Sequence, residues 1–222
     1  MEWGTMANLW DAVRKKRVLV IVVGVVLAAG LGTSAAIWGP EFFTSNQPAQ
    51  AAKAASPANK ADAASATLPA GFSAFRSDQA GFQLAYPSTW TKLSPKDPQV
   101  LLLLSQGTQD SFLARVNDLQ EPVGPQQLPA AKQVTDKLVL SNKSIQMITD
   151  PKQIQLGGLP GFFYFYSFKD PTTNQEGVHS HFFLFNGKKM ISLVFQSLPR
   201  EHFKESAPIF DKIADSFRVV KK

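Results

Sequence analysis

The chain contains no cysteine, which excludes a disulfide framework, thiolate metal sites, a cysteine nucleophile and lipid attachment through an N-terminal cysteine. Histidine is nearly as scarce: His179, His181 and His202 are all there is for imidazole chemistry. Catalytic signatures are missing too, with no GxSxG elbow, no phosphate-cradling GxxxxGK(S/T), no dinucleotide fingerprint and no HExxH. LGGLPG at 156–161 opens a strand and carries Pro160, so it is a turn and not an anion nest. A basic stripe interleaved with aromatics, the mark of a nucleic-acid binder, is also absent. The formal charge is +6, but after residue 70 the 17 basic and 13 acidic residues are interspersed, a net +4. That is a solvated surface, so neither a nucleic-acid partner nor a cofactor is expected.

What the chain does have is one long apolar run. VLVIVVGVVLAAGLGTSAAIW, 18–38, holds 21 residues without a charge and as a helix would extend about 31 Å, enough to cross a bilayer core. Arg14, Lys15, Lys16 and Arg17 stand directly before it, whereas the flank after it offers only Glu41 and then Lys53. The positive-inside bias therefore leaves a basic cytoplasmic N-terminus, 1–17, and sends everything after residue 38 outside. A cleaved signal peptide has a similar layout, with small residues at Ser34 and Ala36. Apolar character persisting through Ile37 and Trp38 favours a single-pass anchor in the cell membrane, and both readings export the remainder.

From 39 to 70 the composition turns to Ala, Pro, Ser and Gln with little to bury after Phe43. Such a stretch cannot offset its ordering entropy and is expected to be a disordered tether with an average span of about 30 Å. Residues 71–222 have the pattern of one domain. GFQLAY (81–86), QVLLLL (99–104) and SFLARVNDL (111–119) are strand-like runs between turn residues. QQLPAAKQVTDKLVL (126–140) repeats Leu128, Ala131, Thr135 and Leu138 at helical spacing, with Pro129 near its start.

Four more strands follow, in SIQMITDPKQIQL, GFFYFYSF, GVHSHFFLF and KMISLVFQ, the last two joined by a hairpin turn at Asn186-Gly187. A closing amphipathic helix sets Phe203, Phe210, Ile213 and Phe217 on one side, with Pro208 dividing a lead-in turn from the helix proper. The connections are too short for parallel crossovers, so an α+β domain with an antiparallel sheet is expected. In GFFYFYSF, Phe163 and Phe165 point one way and Phe162, Tyr164, Tyr166 and Phe168 the other. A sheet apolar on both faces must be covered on both.

The stretches GFQLAYPSTW (81–90), LGGLPGFFYFYSF (156–168), HFFLFNGKKMISLVFQ (181–196) and FDKIADSF (210–217) resemble the PsbP-like fold. That fold is an α-β-α sandwich with a central antiparallel sheet, and the resemblance covers residues 71–222. It implies a non-enzymatic module that docks on or helps assemble a larger envelope or membrane complex, or holds a lipid-like ligand. Acylated members attach through a cysteine; this chain has none, so its attachment is the spanning helix. No functional residue is carried over from the resemblance.

One pair of residues still raises a chemical question. His179 and His181, two apart on a strand, share a face with about 6.6 Å between their α-carbons and are the candidate metal ligands. A zinc site needs a third and usually a fourth ligand, for which the sequence offers Glu176, Asp170 or the remote His202, itself expected to be simply exposed beside Phe203 in a charged stretch. The competing reading is two imidazoles satisfied by backbone or water near the mouth of a hairpin. The expected function is thus a membrane-anchored, extracytoplasmic accessory module. A hydrophobic-ligand carrier with a groove between the sheet and the 126–140 helix is the second reading, and a metal-assisted hydrolase the third.

Overall fold

The computed structural model describes residues 68–220. The expected cytoplasmic segment 1–17, the spanning helix 18–38 and all but the end of the 39–70 tether lie outside the described residues. Among the described residues no helix is long and apolar enough to cross a membrane.

Ten strands and two helices follow in chain order. The first five strands are β1 (Phe72–Ser77), β2 (Phe82–Pro87), β3 (Thr91–Lys92), β4 (Val100–Gln106) and β5 (Asp110–Asp118). Helix α1 (Leu128–Leu140) separates them from β6 (Ile145–Leu156), β7 (Leu159–Lys169), β8 (Glu176–Asn186) and β9 (Lys189–Ser197). Helix α2 (Phe203–Asp215) and the short β10 (Arg218–Val219) close the chain. Seven strands form one antiparallel sheet in the order β3-β4-β5-β9-β8-β7-β6, and β1-β2-β10 form a smaller one. The antiparallel α+β expectation holds; β1, β3 and β10 were not foreseen, because each is too short or too polar to show a period.

The sheet faces follow from the alternation along β7. Phe162, Tyr164 and Tyr166 pack with Leu128, Ala131 and Val139 of α1, together with Phe183, Phe185 and Met190. On the opposite face, Leu102, Leu104, Phe112, Leu193 and Phe195 pack with Phe210 and Ile213 of α2, and with Phe82 and Leu84 of the small sheet. The domain is therefore layered: α1, the large sheet, then a layer shared by α2 and the small sheet. Phe82, Phe112 and Phe217 are completely buried on the α2 side, each large apolar side chain contributing roughly 1.5–3 kcal/mol.

Four details correct the sequence reading. The fourth buried position of α1 is Val139, one residue beyond Leu138, so the buried stripe runs at spacings of three, four and four. Pro208 does not divide the closing helix: a 3-10 turn at Arg200–His202 precedes α2, and Pro208 lies inside the helix, exposed, where solvent can meet the carbonyl it leaves without a partner. In the β8–β9 hairpin, Asn186 pairs with Lys189, so the loop is Gly187-Lys188 and only Gly187 takes a positive φ, 57°. His202, expected to be simply exposed, is half-buried against Asp110.

Gly157 and Gly158 form the two-residue β6–β7 turn with φ of 57° and 85°, the left-handed pair that such hairpins demand. A side chain on Gly157 would also run into the Phe217 ring. The long edge strand β6 carries register shifts at Met147/Thr149 and Thr149/Lys152, with Pro151 inside it. These interruptions protect an edge that would otherwise invite pairing with another chain.

Candidate functional site

Strand β8 places both expected ligands on the α1 side of the sheet. The register sets His179 between Tyr166 of β7 and Gln196 of β9, and His181 between Tyr164 and Val194. His179 Nε2 donates to Gln196 Oε1 at 2.8 Å, which leaves its Nδ1 to accept from the Tyr166 hydroxyl at 3.2 Å. The phenol has one proton to give, so His181 Nδ1, 3.3 Å from the same oxygen, is the donor there. That tautomer, assigned from the network, leaves His181 Nε2 as a buried lone pair without a hydrogen-bond partner.

Ring stacking completes the enclosure, with His179 on Phe168 at 4.3 Å and His181 on Phe183 at 3.9 Å between centroids. Burial is the main cause that lowers His179 to a pKa of about 4, opposed by the Gln196 bond. Burial again, then the neighbouring His179, lowers His181 to about 3. Burial raises the Tyr166 phenol well above its usual range. At neutral pH the trio is therefore uncharged.

Neutral imidazole is the form a metal ligand needs. Among the described residues, however, no group of three or more His, Asp or Glu is placed to hold an ion. Each third ligand the sequence offered is engaged elsewhere. Asp170 accepts the backbone N–H groups of Thr172 and Thr173 and the Thr173 hydroxyl, closing its own turn. Glu176 pairs with Arg200 at 2.8 Å, and the Ser167 hydroxyl and that guanidinium hold its carboxyl below the usual range. His202 reaches the buried Asp110 at 3.2 Å through Nδ1 and Glu205 at 3.3 Å through Nε2. Asp110 also accepts from Ser197 Oγ, itself 2.6 Å from Ser206 Oγ. This network ties the start of α2 to β5 and β9. It has the Asp–His half of a triad, but Nε2 meets a carboxylate and not a nucleophile.

The α1 contact is also hydrogen-bonded. Thr135 Oγ1 lies 2.7 Å from Tyr164 Oη, and that hydroxyl donates to Asp136 at 2.8 Å. These bonds tie α1 to β7 where the groove beneath the 126–140 helix was expected, and a cavity lies on the other face of the sheet, beneath α2. Its volume is about 160 Å³.

Six phenylalanines encircle that cavity. Phe163 meets Phe182 at 4.8 Å, Phe182 meets Phe195 at 5.8 Å, and Phe195 meets Phe210 at 5.1 Å. Phe210 then meets Phe203 at 6.2 Å, and Phe203 meets Phe165 at 4.9 Å. The space exists because small residues stand where large ones would fill it: Ser180 interrupts the cross-strand row Phe112, Phe195, Ser180, Phe165, and Ala207 and Ala214 face it from α2. Asp211 contributes the charged part of the wall. Sequence reasoning missed this site. Its signal was present in the pairing of Phe203 and Phe210 with the alanines at 207 and 214, but nothing in the sequence says which sheet face receives the helix.

No protein-family model matches the chain, and no curated protein matches it in sequence. Solved structures do match. LpqN of Mycobacterium tuberculosis, involved in cell envelope biogenesis, superposes with a TM-score of 0.50 at 11% identity, covering 63% of this chain and 83% of its own. The fold is PsbP-like. The cyanobacterial PsbP of Synechocystis gives a TM-score of 0.48 at 14% identity over 71% of this chain and 98% of its own. The Ran-binding protein Mog1p of Saccharomyces cerevisiae gives 0.47 at 10% identity over 68% and 96%. At such identities the likeness concerns the PsbP-like fold alone.

Proposed function

We propose that the protein is a non-enzymatic accessory module held outside a bacterial cytoplasmic membrane by its own helix, 18–38, where it assists the assembly or stability of an envelope or membrane protein complex. One observation carries the reading for the domain: apart from His181 Nε2, its buried reactive side chains are spent on one another. His179 bonds Gln196 and Tyr166, Asp110 bonds Ser197 and His202, and Tyr164 bonds Thr135 and Asp136. Groups satisfied in this way rigidify a scaffold and are not poised for chemistry. The uncharged run behind four cations supports the membrane attachment, and the envelope role of LpqN, which shares the fold, supports the setting. The test is affinity purification of the full chain from detergent-solubilised membranes. A stoichiometric protein partner is expected; recovery of the chain alone from repeated preparations would overturn the reading.

A carrier of a lipid-like or other hydrophobic ligand is the second reading, favoured by the phenylalanine-lined cavity beneath α2. Native mass spectrometry of the purified chain checks it, with a retained small molecule as the expected result.

A further inference from the structure

We propose that the cavity beneath α2 is a binding site for a small organic ammonium ion, with a benzyl-sized apolar body among the phenylalanines and its cationic head at Asp211. The site is the one invoked for the carrier reading, to which the inference adds a size and a charge. The size comes from the space: a cavity of about 160 Å³ is close to that of engineered apolar cavities that take up benzene and well short of the roughly 300 Å³ at which pockets for larger ligands begin. Of a lipid-like ligand it could enclose only a short segment.

The charge comes from the wall. Ring faces carry negative potential and attract cations, and the carboxylate on this wall is Asp211. Asp211 is exposed and forms no ion pair among the described residues, so it is available to a ligand. Its place on α2 follows from the helical period: Phe203, Ala207, Phe210 and Ala214 form the apolar stripe, and Asp211 flanks it one position after Phe210. Ser180, buried at 7% exposure, adds a hydroxyl on the sheet side. A carboxylate-bearing ligand of the same shape would meet like charge, and a neutral one would forgo the ion pair.

The test uses the full chain in zwitterionic lipid nanodiscs, with empty nanodiscs as control, titrated by fluorine NMR with para-fluorobenzylammonium, para-fluorobenzyl alcohol and para-fluorobenzoate. The ammonium should bind about three- to fivefold more tightly than the alcohol, the effect of a solvent-screened ion pair, and the benzoate most weakly. Asp211→Asn should bring the ammonium level with the alcohol, and Ala207→Leu, which fills the space, should weaken both. Equal binding of all three probes, or an ammonium preference that survives Asp211→Asn, would overturn the charge requirement while leaving a cavity open to a neutral ligand. No binding of any probe would overturn the site itself. Asp211→Asn lies on an exposed helix face and leaves the fold intact, so the outcome does not depend on the cavity-filling variant folding.

Discussion

The two faces of the large sheet are built on opposite plans. Beneath α1 the interior is aromatic but wired: Tyr164, Tyr166, His179 and Gln196 are buried with their polar atoms paired. Beneath α2 most of the interior is hydrocarbon around a cavity, and the buried polar groups gather at one end, where Asp110, Ser197, Ser206 and His202 bond one another at the start of the helix. A paired polar interior fixes one arrangement, because any shift strands a buried donor or acceptor at a cost of about 1–3 kcal/mol. A face of rings constrains its contents by volume alone and can keep a void that a small guest fills. On the proposed reading, one face supplies rigidity and the other binding.

The comparison can be broken at several points. The largest effect is expected on the hydrocarbon side: Phe195→Ala, at a residue 1% exposed and in ring contact with Phe112, Phe182 and Phe210, should lower the unfolding free energy by about 3–5 kcal/mol in urea titrations. Next comes acid sensitivity from the wired side. The folded-state values of about 4 for His179 and 3 for His181 lie below the ordinary 6.5, so the unfolded chain takes up protons first as pH falls. The stability that neutral histidines contribute is complete above about pH 6.5 and drains away down to the folded-state values, at up to about 1.4 kcal/mol per pH unit for each ring. His181→Phe removes one titrating group while keeping the stack on Phe183. Its unfolding free energy should fall less steeply between pH 6.5 and 4 than that of the parent chain; an unchanged slope would mean that His181 is not held neutral.

A smaller effect is expected of Tyr164→Phe, which deletes the hydroxyl shared with Thr135 and Asp136 and should cost about 1–2 kcal/mol by the same urea titration. The smallest belongs to Asp211→Asn on the exposed side of α2, where a change within about 0.5 kcal/mol is expected. A large loss there would tie Asp211 to the fold and sharpen the comparison against a binding role.

Much of the architecture was legible because its signals are periodic and local. The alternation of Phe163 and Phe165 against Phe162, Tyr164 and Tyr166 assigned both sheet faces, and the structure places those side chains in the two expected layers. Shorter signals failed. Strand β3 has two residues and β10 two, and both exist only because a neighbouring strand offers them partners. The hairpin turn was placed one residue early, because the positive φ that Asn-Gly permits is used here by Gly187 alone.

At the candidate site the same-face placement of His179 and His181 was correct from spacing, but their partners were not readable. Tyr166 and Gln196 lie 13 and 17 positions from His179, and only strand order and register bring them together. Which helix would leave a void was beyond sequence as well. That depends on Ser180 meeting Ala207 across a helix–sheet contact with no local signature.

The most direct test of the whole account is trypsin applied to intact spheroplasts of cells expressing the full chain. Lys53 and Lys60 lie between the uncharged run and the domain, so an exported, anchored domain should be released into the medium as a folded fragment beginning after one of them. A chain that stays whole until the spheroplasts are lysed would put the domain on the cytoplasmic side and contradict the proposed role.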